Sequence, residues 1–210
     1  MYVPGHFDEN DPKRLRELMR QYPFALLVSV ADGLPFATHL PVVLDPERGA
    51  HGFLRCHVAR ANPHWRALEK DGACMAVFQG PNAYVSPNWY DIHPAVPTWN
   101  YAAAHVYGRA RLMDDSEVRK LLDDLSAIHE ASQPVPWTSD KLPEQYFTAM
   151  RKAVTGLDIE IRRVEGKFKL SQNRAAGDRR NVIEALSAGD EDARAIAGMM
   201  REREKPESGI

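Results

Sequence analysis

The run Phe24-Ala-Leu-Leu-Val-Ser-Val-Ala31, the dipeptide Asp32-Gly33 and a second β-rich run from Phe36 to Leu44 write a hairpin directly into the chain. Asp-Gly supplies the two positive-φ positions of a tight turn, so two strands are tied antiparallel. Pro41 removes a ladder donor from the second strand and marks an edge or a bulge. Further strands are predicted at 52 to 58, 73 to 79 and 98 to 113. In another, Leu157, Ile159 and Ile161 alternate with Asp158, Glu160 and Arg162. Glu165-Gly166 reads as a turn into the run from Lys167 to Asn173.

Helices fall between these runs without regular alternation. Asp11-Pro12 is an N-cap followed by proline at the first helical position, and Leu15, Leu18, Met19 and Tyr22 recur behind it, predicting a helix over 12 to 21. Asn62-Pro63 opens a short helix over 64 to 70, closed by Asp71-Gly72. Val118, Leu121, Leu122, Leu125 and Ile128 form one apolar stripe behind the acidic start at 114 to 117. Helices are also predicted at 143 to 153, 179 to 188 and 191 to 203. Hairpin-linked strands with inserted helices predict a mainly β (α+β) fold, an antiparallel sheet closed into a barrel with peripheral helices. No G-x-G-x-x-G follows the first strand and no P-loop is present, which disfavours a doubly wound nucleotide fold. The domain reading is a barrel over 1 to 175, a helical appendage over 176 to 203 and a flexible tail over 204 to 210.

Lys and Arg number 27 against 29 Asp and Glu in 210 residues, a formal charge of −2 that excludes a broadly basic nucleic-acid coat. Cys56 and Cys74 sit in apolar runs without C-x-x-C, which reads as reduced, buried thiols. With no leader pattern and no apolar run near the roughly 20 residues that span a bilayer, the expected location is the cytoplasm, with no membrane partner. The eight His residues form no zinc spacing, and no metal site is expected.

Three stretches carry chemistry. Residues 78 to 107 hold seven aromatics and four of the 15 prolines. That composition suits a rigid wall for a flat heterocycle, an aromatic subunit interface, or an ordinary core beneath a long loop. His57-Val-Ala-Arg-Ala-Asn-Pro-His64 passes from strand to helix with Arg60 beside it, either a phosphate seat or a capped helix with a solvated arginine. Between 162 and 180, seven cations face only Glu165 and Asp178, and Lys169-Leu-Ser-Gln-Asn173 lies at their centre. The last helix is acidic and a poor reader of DNA. Ser29, Ser86 and Ser171 belong to no nucleophile elbow.

Taken in order, the motifs resemble one family. Met1-Tyr-Val-Pro-Gly-His-Phe7, Ala37-Thr-His-Leu-Pro41, His57 to Pro63, Val77 to Tyr90, Val96-Pro-Thr-Trp-Asn-Tyr101 and Lys167 to Asn173 are similar to the PaiB family of FMN-binding negative transcriptional regulators. The resemblance covers about residues 1 to 190. It implies an antiparallel split β-barrel like that of pyridoxamine-phosphate oxidases and flavin reductases, a homodimer, and FMN at the subunit interface. It also implies that Thr38, His39 and Leu40 meet the flavin ring edge, and that His57, Ala59, Arg60 and Asn62 meet the ribityl phosphate. Lys169, Ser171, Gln172 and Asn173 meet the flavin from either subunit, while Tyr84, Ser86, Trp89, Trp99 and Asn100 line the mouth or the dimer interface. Three functions stay open. A repressor needs operator DNA, an FMN-dependent oxidoreductase or flavin reductase needs a small-molecule redox substrate, and a haem-binding or haem-degrading split barrel needs a single axial His.

Overall fold

The structure, a computed structural model, describes residues 1 to 204. Residues 205 to 210, most of the expected tail, lie outside the described residues. In chain order the elements are β1 (Asp8–Glu9), α1 (Pro12–Gln21), β2 (Phe24–Ala31), β3 (Leu34–Pro41), β4 (Val43–Asp45), β5 (Phe53–Ala59), α2 (His64–Lys70), β6 (Ala73–Val85), β7 (Thr98–Leu112), α3 (Asp115–Glu130), α4 (Glu144–Lys152), β8 (Val154–Lys169), α5 (Ala176–Ser187) and α6 (Glu191–Glu204). The chain divides into two compact units. One comprises residues 1–18, 79–104 and 165 onward, the other 19–78 and 105–164.

In the second unit the hairpin forms as written: Asp32 and Gly33 adopt φ of 51° and 79°, and Val28 pairs with Ala37 across the ladder. All the paired strands whose register is resolved are antiparallel, and the order is β3-β2-β6-β7-β8-β5-β4, with β1 on β8. β3 and β4 stand at opposite ends of that order, yet only Val42 separates them along the chain. Consecutive Cα atoms lie about 3.8 Å apart, so the sheet must curl until its two ends meet at this residue. The ends meet there without a β3–β4 ladder, so the sheet is not closed: it is the split barrel that the family resemblance implies, not the closed barrel that the strand pattern alone predicts. The proline effect is visible at the same place, because β3 ends at Pro41.

Inward residues of this unit, among them Leu27, Leu54, Cys56, Phe78, Val106, Leu157 and Ile159, are almost fully buried. A side chain at Gly108 would meet the Glu160 carbonyl oxygen at 2.6 Å, so glycine is what lets β7 approach β8 there. The apolar stripe of α3 packs Leu121 and Leu125 against Val43 and Met113, behind a capping box between Asp114 and Glu117. Asp158, 1% exposed, receives both Arg48 and Arg111, which is how a carboxylate is tolerated in the middle of β8.

In the first unit Glu165-Gly166 is not a turn; β8 runs straight through to Lys169. Gly166 is there for space. A Cβ at this position would lie 2.4 Å from Leu15 Cδ2 and 2.6 Å from the Glu9 carbonyl oxygen, where β1 pairs with β8. Phe168, Leu170, Val182, Leu186, Ile196 and Met200 form buried apolar positions around α5 and α6.

Candidate functional site

β3 carries the first group of predicted residues. Thr38 and Leu40 share one face, and Leu40 is core; His39, on the other face, is exposed and stacks on Phe24 with ring centroids 6.1 Å apart. Thr38 enters a hydrogen-bonded network. Its Oγ1 lies 2.8 Å from His64 Nδ1 and accepts from Asn62 Nδ2 at 3.1 Å, while His64 Nε2 lies 2.9 Å from Ser29 Oγ. Asn62 Oδ1 also accepts the His64 backbone N–H at 3.0 Å, fixing the loop at the start of α2. His64 is fully buried beneath Phe36, and burial holds its pKa below the usual 6.5. His64 and Ser29 were not among the expected ligand residues. The available signal was spacing, since His64 precedes Leu68 by one turn and so falls on the buried stripe of α2.

The rest of the expected phosphate seat spreads out from this point. Ala59 ends β5 and is exposed. Arg60 donates its backbone N–H to the Ala153 carbonyl at 2.8 Å, and its guanidinium lies 5.6 Å from the Trp65 ring. That side chain has no carboxylate partner among the described residues, and it lines a cavity of about 360 Å³ with Arg151, Lys152, Asp114 and Asp115. His57 shares the face of β5 that carries Arg55, which is ion-paired to Asp124 of α3. Its Nδ1 is buried without a partner among the described residues, and burial lowers its pKa.

The first unit holds the second group. Lys169 Nζ donates to Thr98 Oγ1 and to the Trp99 carbonyl, both neutral oxygens. Burial, Lys167 and Arg174 all push its pKa below 10.5. Lys167 lies over the rings of Tyr2 and Tyr101, and Arg174 sits 4.2 Å from the Tyr90 ring. No carboxylate pairs with any of the three among the described residues. Ser171, at φ 61°, is buried and bonded to the fully buried Asn100, whose Nδ2 lies 2.9 Å from Ser171 Oγ. Gln172 folds back onto its own backbone, accepting from Leu170 N and donating to the Phe168 carbonyl. Ser171, Gln172 and Asn100 thus shape the strand exit, while Lys169 and the exposed Asn173 remain available to a ligand.

The aromatic stretch forms a wall in the same unit. Tyr84 and Trp99 are exposed and meet edge to face at 6.0 Å, and with Trp89 they line a groove of about 480 Å³ bounded by the α5–α6 connection. Ser86 caps the short turn Pro87–Trp89 by accepting from Asn88 N. Asp178, which carried no expectation, is buried and accepts the backbone N–H groups of Asp91 and Ile92 at 2.8 and 3.3 Å, pinning the proline-rich loop to the start of α5.

The architecture is an antiparallel split barrel, and cations with no carboxylate partner among the described residues, set beside aromatic surface, are chemistry that suits a phosphate-bearing heterocycle. Solved structures support the fold: the FAD and heme binding protein from Mycobacterium smegmatis matches with a TM-score of 0.59 at 17% identity, covering 88% of this chain and 81% of that one. The flavocytochrome Anf3 from Azotobacter vinelandii matches with a TM-score of 0.58 at 15% identity, covering 92% and 78%. The family model described as "Putative FMN-binding domain" matches residues 1–163, and the chain belongs to that family, whose cofactor is FMN. The Protease synthase and sporulation protein PAI 2 of Bacillus subtilis is 32% identical over 206 residues, covering 98% of this chain and 99% of its own. An uncharacterized protein of Emericella nidulans is 33% identical, with 97% of each chain covered. The donor set fits the cofactor, because a phosphate monoester needs cations that no carboxylate has already neutralised.

Proposed function

We propose that this protein is a cytoplasmic, homodimeric FMN-binding flavoprotein that carries out oxidation–reduction of a small molecule. The observation that carries the reading is Lys169: a half-buried ammonium beside Lys167 and Arg174, bonded only to neutral oxygens. Such a cluster repels itself until an anion arrives. In this reading the candidate FMN contacts are Thr38, Asn62 and Arg60 and, separately, Lys169 and Asn173, while Tyr84, Trp89 and Trp99 flank the ring or the partner subunit. FMN supplies the redox chemistry when bound, and the chain's part is to bind, orient and exclude water. Homodimerisation is supported by the edge strand β3 and its neighbour, where Phe24, Val30 and Leu34 are each more than 60% exposed. Among the described residues no helix is long and apolar enough to cross a membrane.

The repressor reading is second. Its support is the basic run at 162 to 180, which a dimer would present twice. Against it, Arg162 pairs with Glu160, Arg179 with Glu204 and Arg203 with Glu9, which leaves less free charge for a phosphate backbone. The test is a visible spectrum with and without added FMN, then anaerobic bleaching of the flavin band by NADH or NADPH, beside a salt series of binding to the gene's own promoter. A protein that takes up no FMN sinks the proposal. Promoter binding tighter than to random DNA, together with no flavin reduction, would favour the repressor.

A further inference from the structure

The network around His64 has a direction. A neutral imidazole carries one N–H, so one ring nitrogen donates and the other accepts. If Nε2 held the proton, it would donate to Ser29 Oγ, and the Ser29 hydroxyl hydrogen would need another acceptor. Ser29 is 6% exposed and has no second partner among the described residues. That arrangement strands a buried donor, which costs about 1–3 kcal/mol. With the proton on Nδ1, the Ser29 hydroxyl donates to Nε2 and Nδ1–H donates to Thr38 Oγ1. Every buried donor is then satisfied. Thr38 Oγ1 now accepts twice, from His64 and from Asn62 Nδ2. Its own hydroxyl hydrogen is the one donor left over, on a side chain that is only half-buried.

We infer that His64 is a positioning residue that, as its Nδ1–H tautomer, makes Thr38 an obligate hydrogen-bond donor toward a bound ligand, with the second N–H of Asn62 beside it. The pair selects for an acceptor-only group, a phosphate or carbonyl oxygen, and against a hydroxyl or amine held there as a donor. Burial of His64 keeps the ring neutral near pH 7, the form the network requires. That the group belongs to FMN rests on the reading given above; the tautomer does not.

Two measurements decide it. Nitrogen NMR of histidine-labelled apoprotein reports which ring nitrogen of His64 is protonated. Nδ1–H is expected, and Nε2–H overturns the inference. Flavin-fluorescence titration with FMN then compares Thr38→Val, which keeps the shape and removes the hydroxyl, with Thr38→Ser, which keeps it. Affinity about tenfold or more weaker in Thr38→Val and restored in Thr38→Ser is expected, whereas unchanged affinity in Thr38→Val overturns the donor role. A wild-type protein that binds no FMN removes the cofactor reading and leaves the tautomer to stand or fall by NMR.

Discussion

Lys169 Nζ donates to the carbonyl oxygen of Trp99 at 2.6 Å, and among the described residues no carboxylate meets it. A lysine solvated by neutral oxygens and crowded by Lys167 and Arg174 is unfavourable on its own and favourable once an anion is bound. Lys169→Gln should therefore act with opposite signs. FMN affinity should fall by about 1.5–3 kcal/mol, the worth of a charge-assisted contact, while the melting temperature of the apoprotein should stay level or rise. Flavin-fluorescence titration and thermal melts with and without FMN read both effects. A variant that melts lower without FMN yet binds FMN normally would make Lys169 a structural residue.

Stability should fall as the solution is acidified below neutrality. His57 and His64 both titrate below 6.5 in the folded chain because burial penalises their charged forms. The unfolded chain then binds more protons than the native one just below 6.5, so their contribution is complete above that pH and is lost as pH drops through it. Glu117 and Asp124 have lowered values and lose their contribution only at more acidic pH. Melting temperatures from pH 7.5 to 5.5 should decline, and a flat profile would contradict the burial of these two rings.

Leu34→Lys should separate subunits. Leu34 closes the β2–β3 hairpin at 71% exposure, with Val30 at 63% nearby, and a monomer gains nothing from leaving both in water. Sedimentation of the wild type should give twice the 23.7 kDa chain mass and the variant one chain mass. A wild-type monomer rules the dimer out.

Gly166→Ala should destabilise by about 1–3 kcal/mol through overpacking against Leu15 and the Glu9 carbonyl. Urea unfolding measures it, and a neutral result would mean that β1 and α1 shift without cost.

Most elements were legible because their signals are local. Asp32-Gly33 dictates its turn, Asp11-Pro12 starts α1, and the stripe from Val118 to Leu125 buries one helix face. Glu165-Gly166 misled, since a glycine kept for close approach in the middle of a strand looks the same in sequence as one kept for a turn. The family motifs are legible in the chain, but which of their residues serve the fold is not. Ser171, Gln172 and Asn100 are satisfied by one another, by the backbone and by Met200, a fact set by partners up to 100 residues away along the chain. His64 and Asp178 carry no site expectation from sequence because their roles depend on what the fold brings to them.

The joint at Val42 has a consequence for what the chain tolerates. One residue bridges strands from opposite ends of the sheet, so this spot has no slack, and its amide is spoken for by the Pro23 carbonyl at 3.0 Å. Lengthening it would let the sheet uncurl and carry Thr38 away from Asn62. The tip at Asp32-Gly33 is the reverse case, a place where extra residues add only a slowly growing entropic cost. Within one chain an insertion is absorbed at that tip, where it would disturb only the proposed partner contact at Leu34, and is not absorbed at the seam of Val42.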